Sequence, residues 1–524
     1  MRLKLVIRRT LKVVNYGFVV GVTGFSWYML HKTDYDLSGI GLMRLTRAAI
    51  AGARIIVDYK WTLYGMNGEE SDYAAVKSKV HERSARRLLA LCSANGGAWI
   101  KVGQHCATLD YLLPMEYTTT LSVLHSRAPE STFEDACRVI RQELHADISE
   151  LFEEMEEKPI GAASLAQVYR ARLRDSHQEV AVKVQHLRVK ARSHVDIVTM
   201  ESLVKVAAAL FPEFKLRWLA EEVKTNLPIE LDFVQEGQNA DRVRRMLAHL
   251  PFLHVPTVHW ALTTDKVLTM EHCHGGQVDD LGYMQTHGIN RHEVCRKLGQ
   301  LYSEMIFIQG YVHCDPHPGN VLVHKHPSHG LKLVLLDHGL YTTLHDDFRL
   351  NYANLWLAIL RADADGIKYW AEAMGVGELY GLFACMLTAR SWKSVTAGID
   401  RKAVTQEESD EIRLYVGNLL SQISDVLSRV PRPMLLIFKT NDNLRGVEYK
   451  LRAQGNKYSF IQMSKCCVRA VHNYAYKHCD SFFCKLRERR DGCPRSADRI
   501  LNTKAKWHTK TQLLCFVNFY EEMM

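Results

Sequence analysis

The stretch Gly310-Tyr-Val-His-Cys-Asp-Pro-His-Pro-Gly-Asn-Val-Leu-Val323, followed by Leu333-Val-Leu-Leu-Asp-His-Gly339, decides how this chain is read. Asp315 and Asn320 stand on a loop broken by Pro316, Pro318 and Gly319, and an apolar β-type run follows directly. The pattern is H-x-D-x-x-x-x-N. Phosphoryl transfer needs an acid to orient an attacking hydroxyl and take its proton, and an amide oxygen nearby to hold Mg²⁺. Asp315 and Asn320 carry those groups. A second β-rich run, Lys332 to Leu336, delivers Asp337 to a turn that Gly339 permits, where another carboxylate would meet Mg²⁺. Two polar turns capping buried strands would explain either motif alone. The two in this order, each beside an apolar strand pattern, point to a phosphoryl-transfer centre.

Upstream, Pro159 to Tyr169 breaks into a turn and then alternates as a strand, continuing through Val180-Ala-Val-Lys-Val184. The small-residue loop Gly161-Ala162-Ala163-Ser164 sits where a glycine-rich loop would cover nucleotide phosphates, and Lys183 sits where a strand lysine contacts them. Alanine in place of later glycines makes such a loop stiffer and less able to close onto phosphate. A plain β-hairpin with a surface lysine is the alternative. Lys183 needs an acidic partner, and Glu230, Asp232 and Glu236 crowd what reads as the start of one helix running to about Leu250. Glu230 and Glu236 face different ways on a helix, which suggests two basic partners, Lys183 and Lys101. Acids also favour helix N-termini for their own sake. Val267-Leu-Thr-Met270-Glu271 reads as a last strand entering a hinge, with Met270 and Glu271 where an adenine base would be met and Gly275 and Gly276 giving freedom to move. His272 and His274 have metal-ligand chemistry, but nothing near them in sequence completes a site, so they read as hinge residues.

The 524 residues are long for a single core, and 47% hydrophobic with 24% charged residues is ordinary globular composition. The net charge of +9 is concentrated in clusters near the ends, without the aromatic-interleaved basic stripe of nucleic-acid binding. No nucleic-acid partner is expected; basic ends suit an anionic membrane surface equally well. Thirteen cysteines without a C-x-x-C pair indicate neither a zinc site nor a disulfide framework. Arg2, Lys4, Arg8, Arg9 and Lys12 precede an apolar run from Val13 to Leu30, with no acid before Asp34. This beginning reads as mitochondrial targeting. As a helix the apolar run would be about 27 Å long, marginal for spanning a bilayer; a cleaved secretory signal, for which the run is long and lacks a clear small-residue cleavage site, and a buried N-terminal helix are the alternatives. Residues 39 to about 127 look helical, and within them Lys101 and Gln104 of Lys101-Val-Gly-Gln104 share a helix face. Arg83, Arg86 and Arg87 share another, expected to be solvated. Glu130 to Glu157 reads as a further helical unit, Asp346 to about Tyr449 as mostly helical, and the last seventy or so residues as a polar tail with incidental thiols. No A-P-E-like sequence follows Asp337, which argues against a docked peptide substrate.

Together these motifs resemble the UbiB family of atypical kinases, also called aarF-domain-containing kinases, over roughly residues 40 to 450. Lys101-Val-Gly-Gln104 is similar to its K-x-G-Q, Gly161 to Gln167 to its alanine-rich loop, and Glu230-Leu-Asp232 to its E-x-D. His313 to Asn320 and Asp337-His-Gly339 are similar to its catalytic and metal-binding loops. Val80 to Arg87, Leu335 to Leu340 and Cys385 to Arg390 look closest to a mitochondrial branch of that family, and His338 stands where most kinases carry Phe. The resemblance implies an α+β, protein-kinase-like, two-lobed fold. Its expected parts are a targeting segment or anchor (1–33), a helical extension (34–150), an N-lobe (151–275), a C-lobe (276–455) and a basic tail (456–524). It further implies that Lys101 and Gln104 face the nucleotide site and pair with Glu230 and Asp232, leaving Glu236 for Lys183. ATP and Mg²⁺ are the implied cofactors, mitochondrial membrane lipid or membrane proteins the implied partners, and the inner membrane the implied location. Enzymatic turnover and a nucleotide-sensing scaffold both remain open, with a conventional serine/threonine kinase a weaker alternative.

Overall fold

The computed structural model describes residues 40–478 apart from 67–71, 108–112, 126–130, 188, 212–216, 329, 399–421, 424, 428 and 453–456. The apolar run Val13 to Leu30 lies outside the described residues. Among the described residues no helix is long and apolar enough to cross a membrane.

Helices come first: Ile40–Thr62, Tyr73–Asn95, Ala98–Ala107 and Met115–Leu121. Gly96 and Gly97 take left-handed φ values of 66° and 53° and so turn the chain between the second and third. Asp58 receives both Arg83 and Arg87, so two of the three arginines expected to be merely solvated hold neighbouring helices together. Arg86 pairs with Glu82 within its own helix.

Eleven strands follow among the described residues: β1 (Phe152–Met155), β2 (Gly161–Ala162), β3 (Ala166–Leu173), β4 (Glu179–Gln185), β5 (Leu253–His254), β6 (Val267–Glu271), β7 (Gly276–Gln277), β8 (Tyr311–His313), β9 (Val321–His326), β10 (Gly330–Leu335) and β11 (Tyr341–Thr343). The first sheet runs β1-β3-β4-β6, all antiparallel, with β2 on the far end of β3. Lys183 lies mid-sheet, opposite Val168 on one side and Leu268 on the other. The second sheet runs β5-β10-β9-β7, and a two-stranded ribbon joins β8 to β11. Thus the chain leaves the first sheet at Glu271 and enters the second at Gly276.

The acid-rich stretch expected to be one helical unit is two helices and a strand. Phe133–Leu144 is capped by Thr132 and ended by His145 in a left-handed conformation at φ 53°. After the short helix Ile148–Leu151, Phe152 is buried and pairs with Leu173 as the start of β1. Nor is the last part of the chain only a tail. Lys457–Lys477 is a helix whose Cys466 and Cys467 are buried, and whose Arg469 reaches the buried carboxylate of Glu304 at 3.1 Å. A repeating apolar face at Met463, Cys466, Cys467 and Ala470 drives this packing. The glycines of the connector serve fit more than freedom. A Cβ on Gly275 would meet the Val323 carbonyl oxygen at 2.9 Å, and one on Gly276 the Tyr283 ring at 2.2 Å.

Three apolar clusters form the core. One lies on the first sheet beneath Phe133–Leu144, and one between Phe233–Met246, Arg291–Ser303 and the second sheet. The largest runs from Ala48 to Ala470 and joins the N-terminal helices to the C-terminal ones. The C-terminal set comprises Asp346–Leu360, Ala364–Ala373, Tyr380–Thr388, Trp392–Ala397, Arg432–Lys450 and Lys457–Lys477.

Candidate active site

Lys183 emerges from the middle of β4 with 12% of its side chain exposed. Its Nζ donates to both oxygens of Glu236 at 2.6 and 2.9 Å and to Asp337 Oδ2 at 3.0 Å, and it lies over the Phe233 ring. Burial disfavours the ammonium, but Asp337 and Glu236 more than offset this and hold its pKa above the usual value. For Glu236 burial dominates, pushing the carboxyl up against the pull of Lys183.

The three acids expected at one helix start are divided between two helices. Glu230 ends Arg217–Glu230, a helix carrying Pro228 in its last turn, whereas Asp232 caps Phe233–Met246 and Glu236 lies in that helix's first turn. Asp232 Oδ1 accepts from the backbone N–H groups of Val234 and Gln235, so this side chain serves the helix end rather than Lys101. Glu230 and Glu236 do face different ways. Lys101 Nζ lies 2.7 Å from Glu230 Oε2 and 3.6 Å from Asp315 Oδ2. Gln104, a turn further along, donates to the Leu124 carbonyl oxygen at 3.0 Å and thereby ties its helix to Ser122–His125.

Asp315 therefore sits between two lysines. Besides Lys101, Lys439 approaches Oδ1 at 3.1 Å from the helix Arg432–Lys450. Burial alone would raise the pKa of Asp315; Lys439 and Lys101 overcome it and hold the carboxyl well below its ordinary range. Sequence reasoning missed Lys439. Its signal was present, a lysine directly after the apolar run Met434-Leu-Leu-Ile-Phe438, but nothing near it in sequence indicates its partner.

The Asp315–Asn320 loop is held from within. Asn320 Nδ2 donates to the Asp315 carbonyl oxygen at 3.1 Å, which leaves its amide oxygen for a cation. Asp337 Oδ1 accepts the Gly339 N–H at 2.9 Å, and although burial opposes ionisation, Lys183 and that N–H keep the carboxyl below its usual range. His313 binds the Asp337 carbonyl oxygen through Nε2 at 2.8 Å and the Tyr302 hydroxyl through Nδ1 at 3.0 Å. His338, in the position Phe commonly holds, is 2% exposed. Its Nε2 donates to the Leu335 carbonyl oxygen at 3.0 Å and its Nδ1 accepts from the Tyr341 hydroxyl at 2.8 Å. Burial lowers its pKa to about 3, so it is a neutral ring anchoring the turn.

The proposed phosphate loop borders this group. Gly161 and Ala162 pair with Val168 and Gln167, Ala163 N–H bonds the Ala166 carbonyl oxygen at 2.8 Å, and Ser164 is buried. A Cβ on Gly161 would meet nothing within 4 Å, so its backbone faces open space. At the connector Met270 is buried, and Glu271 accepts from His254 Nε2 at 3.1 Å and Thr257 N–H at 3.2 Å. The Glu271 carboxylate is thereby committed to the β5 side.

With this geometry in view, the ABC1 atypical kinase-like domain profile matches residues 123–371. AarF domain-containing protein kinase 1 of Xenopus tropicalis is 49% identical over 91% of this chain and 91% of its own. AarF domain-containing kinase 1 of Drosophila melanogaster is 48% identical over 88% of this chain and 89% of its own. Among solved structures, a Mycobacterium tuberculosis protein in complex with erythromycin aligns at a TM-score of 0.40 and 22% identity, covering 67% of this chain and 95% of that one. The chain belongs to the ABC1/AarF atypical kinase-like family.

Proposed function

We propose that the chain binds ATP with Mg²⁺ between the β3–β4 hairpin and the Asp315–Asn320 loop and hydrolyses it or transfers its terminal phosphoryl group. One observation carries the reading: Lys183, Glu236 and Asp337 meet within hydrogen-bond distance although they come from three separate parts of the chain. The donors fit the cofactor. Asp337 and the Asn320 amide offer hard oxygen ligands suited to Mg²⁺, and the open backbone at Gly161 leaves room for phosphate. When bound, Mg²⁺ neutralises charge on the phosphate oxygens. Glu236 holds Lys183 extended toward the phosphates. Asp315 orients the attacking hydroxyl or water and takes its proton.

A second reading, a nucleotide-sensing scaffold, is favoured by the two lysines on Asp315, which occupy the oxygens a general base would use. Family resemblance and the basic, acid-poor N-terminus support a mitochondrial, inner-membrane location and a role in lipid or coenzyme Q homeostasis, with membrane lipid or membrane proteins as partners. Cell fractionation of the full chain, with and without residues 1–33, tests the location.

The activity is tested by Mg²⁺-dependent ATP binding and turnover of the full chain beside Asp337→Asn. Turnover reduced at least about a hundredfold in the variant is the expected result. Binding by the wild type without turnover, with or without anionic lipid, would favour the scaffold.

A further inference from the structure

The end of β6 and the connector to β7 read Glu271-His272-Cys273-His274, and these side chains fall into two clusters of metal-ligating groups. Glu271 and Cys273 join His254, while His272 and His274 join Glu179, the first residue of β4. Alternation along an extended backbone produces this division. The first cluster is satisfied by its own hydrogen bonds through His254 and Thr257.

The second cluster is not satisfied in this way. His272 Nδ1 is buried without a hydrogen-bond partner. It lies 3.7 Å from Glu179 Oε2, and His274 Nε2 lies 3.6 Å from the same oxygen. Both separations are too long for hydrogen bonds. They are close to the edge of a tetrahedral coordination shell, where two ligands each about 2.0–2.1 Å from zinc stand about 3.4 Å apart. All three ligand atoms lie within 4.8 Å of one another.

The surroundings suit the same purpose. Arg170 donates to Glu179 Oε1 at 2.6 Å, which fixes the carboxylate and turns Oε2 toward the imidazoles. Glu156, 3.4 Å from Arg170, offsets part of the guanidinium charge. The His274 side chain is 70% exposed, so a fourth position is open to water. Two imidazoles and one carboxylate favour zinc and its transition-metal neighbours over Mg²⁺ or Ca²⁺.

We propose that Glu179, His272 and His274 form a binding site for a divalent transition-metal cation, zinc in the first instance, on the connector between the two sheets. The site is separate from the Asp315–Asn320 loop and does not depend on the reading of that loop. A bound cation ties the start of β4, the strand that carries Lys183, to the chain leading into the second sheet.

The test uses the full chain carrying Asp337→Asn, stripped of metal and titrated with Zn²⁺ by calorimetry and with Co²⁺ by visible absorption. The expected result is one bound equivalent with the visible bands of a tetrahedral site. Affinity should fall at least tenfold in His274→Ala and in Glu179→Gln and stay unchanged in His254→Ala. His274 is exposed, so its replacement reports binding rather than folding. Absence of Zn²⁺ binding in the parent chain, affinity unchanged in both cluster variants, or affinity lost on changing His254 alone would each overturn the proposal.

Discussion

At the scale of single residues the site is organised by charges that cannot be removed singly. Asp315 lies between Lys101 and Lys439, and the Lys439 side chain is only 10% exposed. Removing Lys439 leaves Asp315 with Lys101 alone, 3.6 Å away, and breaking such a buried contact costs about 3 kcal/mol at most. Lys439→Met is therefore expected to destabilise the protein by up to that amount. Adding Asp315→Asn should cost clearly less than the sum of the single changes, because the two residues share one interaction. Denaturant unfolding of the four chains measures this, and strict additivity would mean that the pair does not interact. His338 allows a test through pH. Its folded-state pKa of about 3 lies below the usual 6.5, so the unfolded chain takes up a proton that the folded chain refuses. Stability present above about pH 6.5 is then lost as pH falls toward 3, at about 1.4 kcal/mol per pH unit. His338→Phe should lose this dependence and, between pH 7 and 5, lose about 2 kcal/mol less than the parent chain. Equal losses would show that His338 takes up its proton in the fold as readily as in the unfolded chain.

At the scale of elements, the helix Ala98–Ala107 determines where Lys101 can reach. A Cβ on Gly103 would lie 2.3 Å from Leu124 Cδ1 and 3.2 Å from Cys92 Sγ, and both neighbours are buried. Gly103→Ala is thus expected to cost about 1–3 kcal/mol by overpacking. It should also speed hydrogen exchange across residues 98–107 as the helix lifts away from Glu230. Unchanged stability and exchange would mean that the glycine is not there for close packing. The motif around Gly103 was legible in the sequence, as were the β3–β4 hairpin and the two loops carrying Asp315 and Asp337, because each depends on local spacing and turn chemistry. What escaped was set by partners distant in the chain. The sequence pattern after Pro228 puts Glu230, Asp232 and Glu236 at one helix start, whereas Asp232 caps the helix and leaves Glu230 on the preceding one. Phe152 was counted into a helix because its pairing with Leu173 is a tertiary event. Glu179 could not be joined to His272 and His274, since only the β4–β6 pairing brings them together.

At the scale of the whole molecule, the N-terminal helices belong to the same folding unit as the C-terminal ones. Arg44 and Trp99 both bond the buried carboxylate of Asp196, fastening two early helices to Val189–Leu210. The largest core cluster continues from Ala48 through Trp99, Leu227 and Trp356 to Phe438 and Ala470. The family profile, by contrast, covers only residues 123–371. Cutting the chain to that span would expose Leu355, Trp356 and Ile359, all buried in this cluster, and would remove both lysines that accompany Asp315. Those losses involve several large side chains, each contributing about 1.5–3 kcal/mol, against a total stability of about 5–15 kcal/mol for a typical domain. The fragment 123–371 is therefore expected to be insoluble, or to bind a hydrophobic dye without a cooperative thermal transition, while residues 40–478 unfold cooperatively. A sharp calorimetric transition from the fragment alone would show that the helices on either side are additions to a self-sufficient kinase-like unit, and that Lys101 and Lys439 reach the site from outside its folding core.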